Sequence, residues 1–213
     1  MIKVEYIDHL GSDLTVVNAA RVSFGGNKSS LDEKDMKLIK YLAEHEHMSP
    51  FEHCSLTVKI DCPIYISKQI MRHRTGKFNE ISRRYTDKDI TFYIPDTLRK
   101  QHESNRQASD GDFDEPLNSM VIDEIRAHQA KCLDLYKTIV DLGICKEQAR
   151  GVLSQDLMTE FYMTMDLRNL VHFIKLRQHE GAQVEVQVIA EQIKEILLDK
   201  FGYSAKVLLD KGL

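Results

Sequence analysis

The chain of 213 residues carries 29 Lys+Arg against 33 Asp+Glu, a formal charge of −4, and is 42% hydrophobic and 29% charged. That balance excludes a disordered or collagen-like chain, and the length allows one domain or two with a sizeable core. No apolar run approaches the ~18 residues of a membrane span, charge comes too early in MIKVEYIDHLGSD for a signal peptide, and the mild acidity does not support a general nucleic-acid binder.

A soluble, cytoplasmic protein with no membrane or nucleic-acid partner is therefore expected. Ile2, Val4 and Tyr6 alternate with Lys3 and Glu5, which predicts an opening strand. Asp13 is placed to cap a short helix running to about Ser23 and closed by Gly25-Gly26. Ser30-Leu31-Asp32-Glu33 reads as a capping box for a helix that turns Met36, Ile39, Leu42 and Ala43 inward. Pro50 stops that helix near His47. Leu56, Val58 and Ile60 alternate with Thr57, Lys59 and Asp61 as in a half-buried strand, and Pro63 then opens a helix to about Arg74. Residues 90–94 read as a short strand closed by Pro95.

Between 99 and 119 the clear apolar residues are Ala108, Phe113 and Leu117, which predicts a mobile surface loop. Asp110, Asp112 and Asp114 imitate a calcium loop, but Glu115 stands where glycine is needed and Val121 where the closing Glu belongs. Val121, Ile125, Cys132, Leu135 and Ile139 recur at helical spacing from Met120 to Leu142. A short helix over 148–153 and a strand through Phe161, Met163 and Met165 follow. Asp166 then caps a helix to about His179, and a long helix runs over 183–200. Helices and strands do not alternate in a βαβ rhythm. The expected fold is a single α+β domain over 1–213, a small, mostly antiparallel sheet packed by long helices.

Cys54, Cys62, Cys132 and Cys145 contain no C-x-x-C pair and no zinc-finger spacing, so they read as reduced, structural residues. Chemistry concentrates elsewhere. The segment from Lys68 to Arg84 holds six basic residues (Lys68, Arg72, Arg74, Lys77, Arg83, Arg84) and one acid, Glu80. Guanidinium forks suit phosphate oxygens; a solvated charged face and a nucleic-acid surface are the alternatives, the last lacking a wider basic field. His45, His47 and His53 could converge on a metal, but Pro50 and Phe51 interrupt them and no fourth ligand is visible, so no metal is expected. On the 166–179 helix, Arg168 and His172 share one face, while Arg177 lies nine positions on, about 180° around the axis. Such a helix lies either between two ligands or subunits, or in a core with two snorkelling ends.

Taken in order, the motifs resemble the flavin-dependent thymidylate synthases. The family signature is Arg-His-Arg, seven residues, Ser, then usually Arg two positions on; here it is Arg72-His73-Arg74, Ser82 and Arg84. AARVSF at 19–24, HMSPFEH at 47–53, FYIP at 92–95, AR-x-VL at 149–153, MDLRNLVHFIKLR at 165–177 and AQVEVQ at 182–187 agree as well. The resemblance covers most of the chain outside 99–119.

It implies a homotetramer with active sites shared between subunits. Each site would bind FAD, dUMP and 5,10-methylenetetrahydrofolate, with NADPH as reductant, to convert dUMP to dTMP. By this resemblance Ser49, Arg72, His73, Arg74, Glu80, Asp166, Arg168 and His172 contact FAD. Gln69, Arg72, Glu80, Ser82, Arg83, Arg84, Arg150 and Arg177 surround dUMP, and His47 and Glu52 lie on the flavin–folate side. Arg177 is the catalytic residue, polarising the uracil ring. Ser82 is a ligand and not a nucleophile, since no neighbouring base activates it. The chain departs from the family pattern at Asp166 (often Asn), Ser154 (a common Pro), Gly181 (frequently His) and Arg83, which replaces a small residue and is expected to add bulk beside the phosphate.

Overall fold

The computed structural model describes residues 1–211. Its centre is a four-stranded sheet in the order β1-β2-β6-β3, every neighbouring pair antiparallel: β1 Lys3–Leu10, β2 Ser55–Pro63, β3 Lys77–Glu80 and β6 Met158–Asp166. Alternation builds it. Leu56, Val58 and Ile60 of β2 stand opposite Met165, Met163 and Phe161 of β6, and all six are buried on one face. The other face is polar: Thr57 and Thr164 share a 2.9 Å hydroxyl contact, and Lys59 reaches Glu5, Asp61 and Glu160.

Helices cover the apolar face. These are α1 (Asp13–Arg21), α2 (Glu33–Glu44), α3 (Ile64–Ile70), α6 (Leu167–Arg177) and α7 (Val184–Asp210). α7 buries Val186, Ile189, Ala190, Ile193 and Leu197 along one stripe, and α6 adds Leu170, Phe173 and Ile174. The long α4 (Leu117–Asp141) and short α5 (Lys146–Ala149) pack beside this core, and the hairpin β4–β5 (Arg99–Gln101, Ser109–Asp112) joins it from the 99–119 segment.

Several expectations are corrected. The capping box sits two residues later, with Asp32 as N-cap accepting from Lys34 and Asp35 N–H groups, because buried Asp35 is claimed by Arg21 and Lys28. Asp13 does not cap its own helix. Its carboxylate accepts the backbone N–H groups of Tyr203 and Ser204 at 3.1 and 2.8 Å, across a break in α7 at Gly202. Gly202 has φ +45° and ψ −110°, a conformation that L side chains rarely adopt. The helix therefore restarts there and needs a new N-terminal cap, which carries it to Asp210 and past the expected end near residue 200.

The helix from Pro63 stops at Ile70, and the Arg72–Gly76 turn leads straight into β3, which its polar composition concealed. Residues 90–94 form no strand. Phe92 makes one antiparallel bridge to Leu157, flanked by single bonds from Met158 N–H to the Thr91 carbonyl and from Tyr93 N–H to the Asp156 carbonyl. The expected loop at 99–119 contains the β4–β5 hairpin and the start of α4, and both carboxylate oxygens of Glu185 on α7 accept from Arg99 Nη2. On α4 the buried face is turned one residue from the expected one: Asn118, Ile122, Gln129 and Tyr136. Gln129 explains the rotation, donating to the Tyr93 carbonyl and to Asp156.

Candidate active site

Two elements meet at the end of α6, and a third lies along the sheet at the far end of β3. The first is the Arg72–Gly76 turn after α3. Gly76 allows it to fold close to the sheet, because a Cβ there would lie 2.4 Å from Met165 Cε and 2.6 Å from Phe78. The turn presents His73 to Phe173, the rings edge to face at 4.8 Å, and within 6.4 Å of His172.

The second element is α6 itself. Arg177, half-buried at its last residue, donates from Nε to His73 Nε2 at 3.1 Å and from Nη2 to the Gln69 carbonyl at 3.1 Å. Accepting from a guanidinium requires His73 Nε2 to carry no proton, so the ring is neutral with its proton on Nδ1. Burial, then Arg177 and then His172 push its pKa down to about 4 from 6.5, which agrees. Burial also lowers the Arg177 pKa. Sequence reasoning missed one support: Gln69 Nε2 donates to Gln183 Oε1 at 2.5 Å, tying α3 to the start of α7.

On the opposite face of α6, as the helical spacing predicts, Arg168 pairs with Glu52 at 2.5 Å. Arg168 and His172 line an open groove of about 330 Å³ with Glu46, Met48, Val171, Lys175, Leu208 and Lys211. Met48, Val171 and Leu208 give it an apolar floor, and its rim carries Arg168, Lys175 and Lys211 beside one acid, Glu46, which pairs with Lys211 at 3.2 Å. A planar aromatic ring bearing a pyrophosphate fits that donor set. Asp166 is at the head of α6, but its carboxylate is occupied as the N-cap, accepting from Asn169 N–H at 2.9 Å and Asn169 Nδ2 at 2.5 Å. Ser49 and His47 are exposed beside this groove's sequence neighbour Met48.

The third element is the loop after β3. Ser82 Oγ accepts from Arg84 Nε at 3.3 Å, and Arg84 also donates to the Tyr85 hydroxyl at 3.1 Å. A guanidinium cannot take a proton from Ser82. Lys146 on α5 pairs with Asp87 of the loop at 2.9 Å, and Arg150 follows one turn after Lys146, exposed, its Nε on the Glu147 carbonyl. Arg72, Arg74, Arg84 and Arg150 are exposed, and none pairs with a carboxylate among the described residues. Glu80 accepts from Thr159 Oγ1 at 2.7 Å at the end of β3. The Arg83 side chain differs from expectation: it adds no bulk to the outer face but turns inward beneath its own loop.

The cysteines lie outside this geometry. Cys54 and Cys62 are buried, and desolvation pushes their thiols up to about 11 and about 12, the reverse of an activated thiolate.

The family model described as thymidylate synthase complementing protein matches residues 5–201. A flavin-dependent thymidylate synthase of Thermosipho africanus is 39% identical over 204 residues, 95% of this chain and 89% of that one. The chain belongs to the flavin-dependent thymidylate synthase family. Another member, from Thermus thermophilus, is 40% identical over 92% of this chain and 72% of its own. Among solved structures, the UMP/dUMP methylase PolB from Streptomyces cacaoi, bound with 5-Br dUMP, superposes with a TM-score of 0.88 at 33% identity. That match covers 97% of this chain and 94% of the methylase. The expected α+β architecture is the one observed.

Proposed function

We propose that this chain is a methyltransferase that converts dUMP to dTMP reductively, using FAD, 5,10-methylenetetrahydrofolate as one-carbon donor and NADPH as reductant. The observation that carries the reading is Arg177. It is half-buried, fixed by His73 and the Gln69 carbonyl, and spends only two of a guanidinium's five N–H donors on them. The remaining donors are preorganised for an electron-rich heterocycle edge, where they would stabilise negative charge developing on the uracil carbonyl and ring nitrogen. Ser82, Arg84 and Arg150 supply charge-assisted bonds for the 5′-phosphate. Gln69, Arg72 and Glu80, together with the loop at Arg83, complete the nucleotide side.

Arg168 and His172 would hold FAD over the groove floor of Met48, Val171 and Leu208, and this reading adds Ser49, Arg72, His73, Arg74, Glu80 and Asp166 to the FAD contacts of the assembled enzyme. When bound, the flavin supplies the hydride for the reduction. His47 and Glu52 lie on the folate side, and Glu52 also orients Arg168.

The site is open on a single chain, and apolar Val22, Phe24 and Leu142 are exposed, Phe24 at 92%. This favours a homotetramer in which neighbouring subunits cover those residues and share active sites. No helix among the described residues is long and apolar enough to cross a membrane. A cytoplasmic enzyme is part of the same proposal. The test is spectroscopic and chemical. Purified protein takes up FAD, NADPH bleaches the flavin band, and folate-dependent proton release from C5 of dUMP follows. Protein unable to take up FAD would overturn the reading. A flavoprotein without C5 proton release would limit it to flavin binding.

A further inference from the structure

Residues 82–90 form a loop pinned at both ends on β6. Ile81 N–H donates to the Glu160 carbonyl at 3.0 Å where the loop leaves, and Met158 N–H donates to the Thr91 carbonyl at 2.8 Å where it returns. Beside it lies an open groove of about 270 Å³, lined by Arg83, Thr86, Lys88 and Asp89 of the loop and by Met158 and Glu160 of β6. Its first half is a tight turn, with the Tyr85 and Thr86 N–H groups on the Ser82 carbonyl at 2.9 and 3.2 Å. Its second half contains Asp89 at φ +51°, a left-handed residue without glycine's freedom.

Arg83 connects the two halves. It is nine-tenths buried in a chain whose other arginines in this segment face solvent. Nη1 donates to the Lys88 carbonyl at 2.6 Å and Nη2 to the Asp89 carbonyl at 3.4 Å, while Nε has no partner. Burying a guanidinium with one donor unsatisfied is costly, and what it gains is a fixed loop. Its neighbour Arg84 is exposed and donates to the half-buried Ser82, and Lys146–Asp87 fastens the same loop to α5, which Arg150 directly follows.

We propose that Arg83 is a positioning residue: from inside the loop it holds Ser82 and Arg84 in the geometry that receives the nucleotide's phosphate. The inference rests on the reading of Ser82, Arg84 and Arg150 as the phosphate site. It assigns Arg83 a role through the loop and not through contact of its side chain with the ligand.

The test compares a nucleotide with its phosphate-free nucleoside. Calorimetric titration of dUMP and of deoxyuridine into FAD-loaded full-length protein is run for the parent, Arg83→Gln, Arg83→Lys and Arg84→Ala. Arg83→Gln should weaken dUMP by about tenfold and deoxyuridine by less than about twofold, because only the phosphate loop loosens. Arg83→Lys, which keeps one donor for the Lys88 carbonyl, should recover part of the dUMP affinity, to within about threefold of the parent. Unchanged dUMP affinity in Arg83→Gln, with Arg84→Ala weakened, overturns the positioning role. Equal loss for dUMP and deoxyuridine overturns it as well, since Arg83 would then support the whole site. If Arg84→Ala leaves dUMP binding intact, the phosphate reading itself falls. Should Arg83→Gln fail to fold, Arg83→Lys against the parent decides: a selective loss for dUMP supports the role, and no loss refutes it.

Discussion

Replacing Arg177 with Lys separates catalysis from stability in a way the structure makes quantitative. Arg177 uses its Nε–H on His73 and one Nη2–H on the Gln69 carbonyl, which leaves three donors. A lysine has a single nitrogen and cannot span both partners while also presenting a directed edge to a ligand. Loss of one positioned donor at a developing anion lowers turnover by about 10²–10³. Stability should hardly move. One of two hydrogen bonds of about 1 kcal/mol is lost, since the ammonium keeps the other partner or reaches solvent on its flexible stem. The net is within ~1 kcal/mol, or about 2–4 °C in melting midpoint at this chain length. The assay is folate-dependent proton release from C5 of dUMP, read beside a thermal melt of the flavin-loaded protein. Turnover within threefold of the parent, or activity and melting midpoint falling together, would refute the reasoning.

Three further outcomes follow from the same geometry. His73 should be neutral at pH 7 with Nε2 unprotonated, and ¹⁵N-histidine NMR should find it titrating near pH 4. Because its folded pKa lies below the ordinary 6.5, its contribution to stability is full above about 6.5 and is lost as pH falls toward about 4; a ring titrating at 6.5 would show that the Arg177 contact does not form. Glu185→Gln breaks an ion pair with Arg99 in which the Glu is 4% exposed. It should cost about 3 kcal/mol, the low end for a buried pair because Arg99 is partly solvated, with faster deuterium uptake across 99–112. Asp13→Ala removes both bonds that restart α7 after Gly202 and should cost about 1–2 kcal/mol, read by urea unfolding; an unchanged midpoint would mean that the break needs no cap.

The parts of the fold visible in the sequence were those with a period. β2 alternates Leu56, Val58 and Ile60 against polar neighbours, and the structure buries all three. The α6 spacing put Arg168 and Arg177 on opposite faces, and they point to opposite sides. What stayed hidden was either polar or distant. The β4–β5 hairpin has no apolar face, and its hold on the core is the ion pair between Arg99 and Glu185, 86 positions apart. Asp13 has the composition of a helix cap and is one, but for a helix that restarts 190 residues later. The Gln69–Gln183 bond belongs to the same class. The family blocks bracket both residues, yet no local pattern joins glutamines 114 positions apart.

The basic segment from 68 to 84 carries six cations and one acid, and as a charge count it could serve an extended polyanion or a single phosphate. Their directions distinguish these. Arg83 is turned beneath its loop, Arg84 stands over the Tyr85 ring at 5.0 Å, and Arg72 and Arg74 flank a histidine that is committed to Arg177. A nucleic-acid surface gains from many cations tracking a backbone at regular spacing; burying one of them under a loop subtracts from such a surface. For one compact anion the same burial is useful, because a fixed loop loses less freedom when the ligand binds. The inward turn of Arg83 therefore bears on ligand class as well as on geometry: in this segment one cation has been taken from the outer face so that its two neighbours are held in place.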